Sequence, residues 1–398
     1  MGETQYDNLF QIREAVVIMS QEGQTGTPFG RQVQRERTRR GWSQRELANQ
    51  SSLAVARVNR IENDPTRTIT FNDAASLSRA FGIPATWLFR GAEIRDRILS
   101  AARTTEQESA EQAVDQILHV LELLDQLDSL DGPKIPDQNA VQTPMAISDT
   151  AAEWGRKTAE YFREIAGVPS GPIEDLISLI EKFGQAYVVM DALPPDVDGL
   201  SIQDPKSGYA VVAVSTNLHW ERQRFTLAHE LGHLLAGEMV IEAVNNQKGN
   251  KKETAAHEFA RNLLIPARDL FEMDPSTTNS WNAQDAAKVA WQYRVSPQVV
   301  GIQLERARLG GRSLTKELSQ VGVEVWSQIG GWSTERDSLV AKAKARRIPS
   351  ELAARAINAW QDRRIPTATI GRLLNLSTQQ TEQLLSEAGL ARESALAE

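Results

Sequence analysis

The sequence predicts a multidomain, mainly α chain with one α+β domain in its middle. Three observations carry that prediction. Residues 29–91 read as five short helices with tight joints, strand-like runs occur only between about 186 and 214, and the tail from about Gln284 returns to helical spacing. The length of 398 residues fits roughly two to four domains.

The chain's own punctuation sets the divisions. Residues 1–28 are a lead-in containing the loop-like QEGQTGTP. In 29–91, helices are expected over Phe29–Arg40, from the Ser43–Glu46 capping box to Asn49, over Ala54–Asn63, over Phe71–Phe81, and as a short piece after Pro84. Gly41, Pro65 and Gly82 supply stops. Residues 92–145 form a helical connector and linker. Its apolar seam comprises Ala110, Ala113, Val114, Ile117, Val120, Leu121, Leu124 and Leu127, with His119, Glu122 and Asp125 off it. Such a seam pairs two copies of a chain or packs inside its own domain, and the spacing suits both.

Residues 146–310 hold helices near 150–166 and 172–183, then strands Ala186–Met190, Gly199–Ile202 and Tyr209–Val214. Two further helices follow, Arg222–Gly237 and Glu253–Leu264, the second stopped by Pro266. Residues 311–398 read as a helical C-terminal domain with a capping box at Ser377–Gln380 and a stop at Gly389. A second DNA reader fits that rhythm. Its few basic residues favour a sensing or assembly module.

Composition excludes several chemistries. There are no cysteines, so disulfides, thiolate metal ligands and cysteine nucleophiles are absent, and any metal must be held by His and carboxylate. The opening MGETQYDNLF has no basic-then-apolar leader, and no run approaches 18 apolar residues. The reading is therefore cytoplasmic, with no membrane partner. The net charge of −8 is uneven: residues 29–91 carry 11 Arg, no Lys and 5 acids. An Arg-rich segment on an acidic chain points to phosphate contacts there.

The central motif is HELGH. His229 and His233 are four apart, so a helix places both imidazoles on one face, within reach of one metal ion. Glu230, between them, is placed to act as general base on the water attacking a carbonyl. A catalytic metal needs a third protein ligand. Glu253 and His257 share a helix face 20 and 24 residues beyond His233. Either can be the ligand with the other as its support, and Glu258 is a weaker choice. Tyr209, His219 and Arg222 are candidates for stabilising the oxyanion.

The runs RQRFTLAHELGHLLAG and ETAAHEFARNLLIP, with DGLSIQD and YAVVAVS ahead of them, resemble the ImmA/IrrE family of zinc peptidases over about residues 147–310. That resemblance implies a zincin-like α+β domain holding Zn2+ through His229, His233 and Glu253, with Glu230 catalytic. Ala256, Phe259, Ala260, Leu263, Leu264 and Pro266 match the rest of its second motif. His257 departs from it, standing where the family usually has Asn or Asp. The assignment leaves His257 as a supporting residue beside the metal ligands.

The stretch 29–91 resembles the XRE family of phage-repressor-like helix-turn-helix domains, through Ser43-Gln44, Leu47-Ala48, Val58, Ile61-Glu62-Asn63, Leu77, Ala80-Phe81 and Trp87-Leu88. The resemblance implies that Val55, Ala56, Asn59 and Arg60 face base edges, with Gln44 near phosphate or base and Arg57 near phosphate. Val55 and Ala56 can meet a thymine methyl but make no bidentate bond.

The combined expectation is a transcriptional regulator that binds a double-stranded DNA operator, as a homodimer if the operator is two-fold. Its peptidase would cut a repressor-type protein, in trans or within its own chain, to switch stress, mobile-element or defence genes. The rival is a transcription factor or antitoxin that cuts nothing, its peptidase-like domain sensing a ligand or partner.

Overall fold

In the computed structural model the described residues are 26–102, 108–132, 150–237, 251–273, 281–320 and 322–392. Most of the lead-in and most of the 132–145 linker lie outside them. The chain divides into two units, residues 1–96 with 360–398, and residues 97–359. The stretch read as one C-terminal domain, 311–398, is divided between the two at 359/360, and the connector from Arg97 onward falls in the unit that holds the sheet.

The first unit begins with α1 (Pro28–Arg39), α2 (Gln44–Ser51), α3 (Val55–Asn63), α4 (Phe71–Phe81) and most of α5 (Ala85–Ala102). Local chemistry sets the ends. Ser43 Oγ accepts from Glu46 N while Ser43 N donates to the Glu46 carboxylate, the capping box expected from the sequence. Thr70 and Asp73 make a second one at α4. The helix after Pro84 is not short. It runs 18 residues, because nothing from Ala85 to Ala102 breaks it except Gly91, whose cost of about 1 kcal/mol tertiary burial overrides.

The second unit continues through α6 (Glu108–Asp131), α7 (Ala151–Ile165) and α8 (Leu176–Phe183) to β1 (Ala186–Asp191), β2 (Gly199–Gln203) and β3 (Ala210–Ser215). Among the described residues the sheet has three strands in the order β1-β3-β2, with β1 parallel and β2 antiparallel to β3. Then come α9 (Trp220–Leu235), α10 (Lys251–Leu264), α11 (Ala267–Glu272), α12 (Ala283–Gln292), α13 (Pro297–Arg306), α14 (Arg312–Gln320), α15 (Val323–Gly330), α16 (Ser333–Ala343) and α17 (Ser350–Gln361). The core joins α7 and α8, the inner strand residues Val188, Val212 and Val214, and the apolar faces of α9 and α10. Met190 pairs with Arg347 in one antiparallel bridge at the outer edge of β1.

In α6 the seam follows the second of its two readings, packing inside the chain. Residues 117–124 are buried in one unbroken run, His119 and Glu122 included. Ala113, Val114 and Leu127 are buried too, whereas the side chain of Ala110 lies outside the described set. Asp128 at its C-terminal end accepts from Tyr209 (2.7 Å) and pairs with Arg355 (2.8 Å). Among the described residues the seam is covered within a single chain and offers no free pairing face.

The tail helices α18 (Thr367–Leu374) and α19 (Thr378–Glu387) belong to the first unit. Ser377 and Gln380 form the capping box read from the sequence. The two parts are fastened at Glu36, which is buried between Arg40 (2.5 Å) and Arg372 (2.7 Å). Burial pushes this carboxyl's pKa up, but Arg372, then Arg40 and Arg39, outweigh it and hold it at about 2. Because the folded pKa lies below the free value of 4.5, the pairing stabilises fully above about pH 4.5 and is lost as pH falls toward 2. Urea melts between about pH 5 and pH 2 should show this as a loss on the order of 3 kcal/mol that is missing from Glu36→Gln. Identical pH slopes in the two proteins would sink that assignment.

Candidate metal centre and nucleic-acid interface

α9 is buried from Thr226 to His233 against the sheet and α10. The helical repeat stacks His229 over His233, and their Nε2 atoms lie 3.1 Å apart. Gly232 lets α10 come close: a Cβ there would meet Ala256 Cα and the Phe259 ring at 3.1 Å. On its other side α10 packs against Gly155 of α7, where a Cβ would fall 2.6 Å from the Ala255 carbonyl and Phe259 N. These close approaches carry Glu253 to the histidines, Oε2 lying 3.3 Å from His229 Nε2 and Oε1 3.3 Å from His233 Nε2.

Those three residues form the one group able to hold a metal among the described residues. Ligands about 2 Å from a tetrahedral centre are about 3.3 Å from one another. The observed separations fit that figure, and the two-imidazole, one-carboxylate set would give a metal three protein ligands and leave a fourth position open.

Glu230 is 1% exposed, and Ser201 Oγ on β2 donates to its Oε2 at 2.8 Å. Sequence reasoning missed Ser201. The signal was there, a hydroxyl between Leu200 and Ile202 on a strand whose other buried positions carry no polar side chain, since a buried polar group needs a partner.

The remaining candidates sort by their contacts. His257 does not join the metal group. Its Nδ1 donates to the Glu253 backbone carbonyl at 2.8 Å, and its ring packs beside His229 and Phe225. Its pKa is lowered, first by burial and then by His229. Glu258 is turned away, paired with Arg261 and Arg306 at 2.6 Å. Of the oxyanion candidates, Tyr209 donates to Asp128 and Arg222 pairs with Asp198, while His219 sits exposed at the N-cap of α9.

In the first unit, α3 buries Val58, Ile61 and Glu62 and exposes Val55, Ala56, Asn59 and Arg60. Glu62 anchors the surface. It is fully buried, accepts from Arg37 Nε (2.7 Å) and Nη2 (3.1 Å), and takes Gln44 Nε2 at 2.8 Å. Gln44 Oε1 in turn accepts from Asn59 Nδ2 at 3.2 Å, so both side chains are oriented before any ligand arrives. Arg57, expected near phosphate, is instead turned onto Asp73 and Thr70 of the next helix. A carboxylate within reach outcompetes solvent for its guanidinium.

Residues 33–88 match the family described as Helix-turn-helix, and residues 180–305 match the peptidase family described as IrrE N-terminal-like domain. The chain joins an XRE-type helix-turn-helix to an IrrE-like peptidase domain. The IrrE-like match spans HELGH, Glu253 and the strands beneath them, and the helix-turn-helix match spans Gln44, α3 and the Arg37–Glu62 pair. Both matches are shorter than the stretches 147–310 and 29–91 read from the sequence. No curated protein matches the chain closely enough to serve as a relative. No helix among the described residues is long and apolar enough to cross a membrane.

Proposed function

We propose that this chain is a DNA-binding regulator whose IrrE-like domain is a zinc endopeptidase cutting a repressor-type protein, in trans or within its own chain. The observation that carries the reading is the buried His229–His233–Glu253 group with the Glu230 carboxylate beside it, held by Ser201. Zinc suits this sulfur-free donor set, and when bound it supplies a Lewis acid and lowers the pKa of water. Glu230 takes the proton of the attacking water at a carboxylate oxygen and returns it to the leaving amine. Ser201, by donating to Oε2, orients that carboxylate. His257 steadies Glu253 through its backbone, as supports of metal ligands do.

On the DNA side, Val55, Ala56, Asn59 and Arg60 face the bases of a double-stranded operator, with Gln44 at its edge. Arg57 is left out, being committed to Asp73. The regulator works in the cytoplasm. A homodimer on a two-fold operator follows from helix-turn-helix geometry, through a surface other than the covered seam of α6.

The test incubates the full chain with zinc, the DNA upstream of its gene and the product of the neighbouring gene. One discrete cut in either protein, together with a retarded DNA band, is the expected result. DNA binding with both proteins intact would favour a transcription factor that senses without cutting.

A further inference from the structure

The first unit contains a cleft that the peptidase and DNA-reading roles leave unused. Its volume is about 590 Å³, within the range of small-ligand sites. It opens between the C-terminal ends of α1 and α4 and the start of the turn joining α18 to α19. Four arginines, Arg39, Arg40, Arg79 and Arg372, line it, and no acidic side chain does among the described residues. Two of them, Arg40 and Arg372, share the buried carboxylate of Glu36. The cleft therefore carries a net positive charge.

Two of these groups are pre-positioned. Arg40 is held by Glu36 and by the Phe81 carbonyl at 2.9 Å, its guanidinium 4.9 Å from the Phe81 ring centre. Arg372 lies 4.5 Å from the Trp87 ring centre while it holds Glu36. Beside them Trp42 and Phe81 stack, 5.9 Å apart and 15° from parallel, with the Arg40 guanidinium near both rings. Phe81 is buried, and the half-buried Trp42 gives the cleft its aromatic side. Ser377 and Thr378 bring the N-terminus of α19 to the same cleft, where the helix dipole favours an anion. A guanidinium in a helix's last turn is ordinary helix stabilisation, which accounts for Arg39 and Arg79 singly. It does not explain four arginines lining one cleft beside Trp42.

We infer that this cleft binds a small anion that joins a phosphate to a planar ring, of the nucleoside phosphate kind. The exposed Arg39 and Arg79 and the start of α19 take the phosphate, with Arg40 and Arg372 behind them on Glu36, and the half-buried Trp42 takes the ring. The site uses side chains from α1 and α4 of the helix-turn-helix domain and from the tail, so its occupancy clamps the one to the other. It stands independently of the peptidase reading.

Isothermal titration of the full chain with ADP, GDP, CDP and UDP, with inorganic phosphate and with the free nucleosides tests this. At least one diphosphate should bind, at least tenfold more tightly than its nucleoside and than phosphate alone. Arg79→Glu and Thr378→Trp alter exposed positions, and each should weaken that binding at least tenfold while the thermal unfolding midpoint without ligand stays put. Failure of all four diphosphates to bind overturns the proposal, as does binding indifferent to both substitutions. If only a random-sequence DNA duplex responds to Arg79→Glu, the cleft takes backbone phosphate and the small-molecule assignment falls.

Discussion

Glu230→Gln lowers peptide cleavage by about 10²–10⁴-fold, the span ascribed to one positioned general acid–base group, and leaves the bound metal in place. The amide is the same size and its oxygen still accepts from Ser201, so the buried helix keeps its packing. What it loses is a basic oxygen able to take a proton from water. The His229, His233 and Glu253 donors are untouched, so metal content measured by elemental analysis should match wild type. Cleavage kinetics under inducing conditions supply the other half. A variant that cuts as fast as wild type would remove Glu230 from the chemistry, and one that loses metal would make its role structural.

The second large effect lies in the DNA-binding unit. Arg37→Ala strips the cationic partner from Glu62, a carboxylate with no solvent exposure, and leaves it only the Gln44 amide among its described side-chain contacts. An uncompensated buried charge costs about 3–5 kcal/mol, a large share of a small unit's stability. The same change frees the carboxylate that holds Gln44, which in turn positions Asn59. Urea denaturation should show an earlier transition for the helix-turn-helix unit, and a gel shift at fixed salt should show operator binding lost. A stability loss below about 1 kcal/mol would mean that solvent or another group replaces Arg37 at little cost.

Local chemistry was legible in the sequence and long-range chemistry was not. Ser43–Glu46 and Ser377–Gln380 could be read as helix starts because a capping box spans one turn. His229 and His233 could be read as a pair for the same reason. The third donor lies on another helix, and spacing alone left Glu253 and His257 open. Only the packing of α10 across Gly232 and Gly155 puts the Glu253 carboxylate, and not the His257 ring, against both imidazoles. Ser201 escaped notice because its partner is 29 residues away. Arg57 looked like a phosphate contact because Asp73, across the joint to α4, could not be placed from the sequence. His119 and Glu122 looked solvent-facing by periodicity, yet α6 is enclosed on every side over two turns, a tertiary fact that no helical pattern reports.

The central claim is that two imidazoles and the Glu253 carboxylate hold the metal. Zinc titration of the full chain, with native mass spectrometry for stoichiometry, tests it against single substitutions. Wild type should hold one zinc per chain, Glu253→Ala should lose affinity by roughly a hundredfold or more, and His257→Ala should keep its zinc with a loss of about 10–100-fold at most, the range for residues that only support a ligand. Zinc held as tightly by Glu253→Ala as by wild type, or lost altogether in His257→Ala, would contradict it.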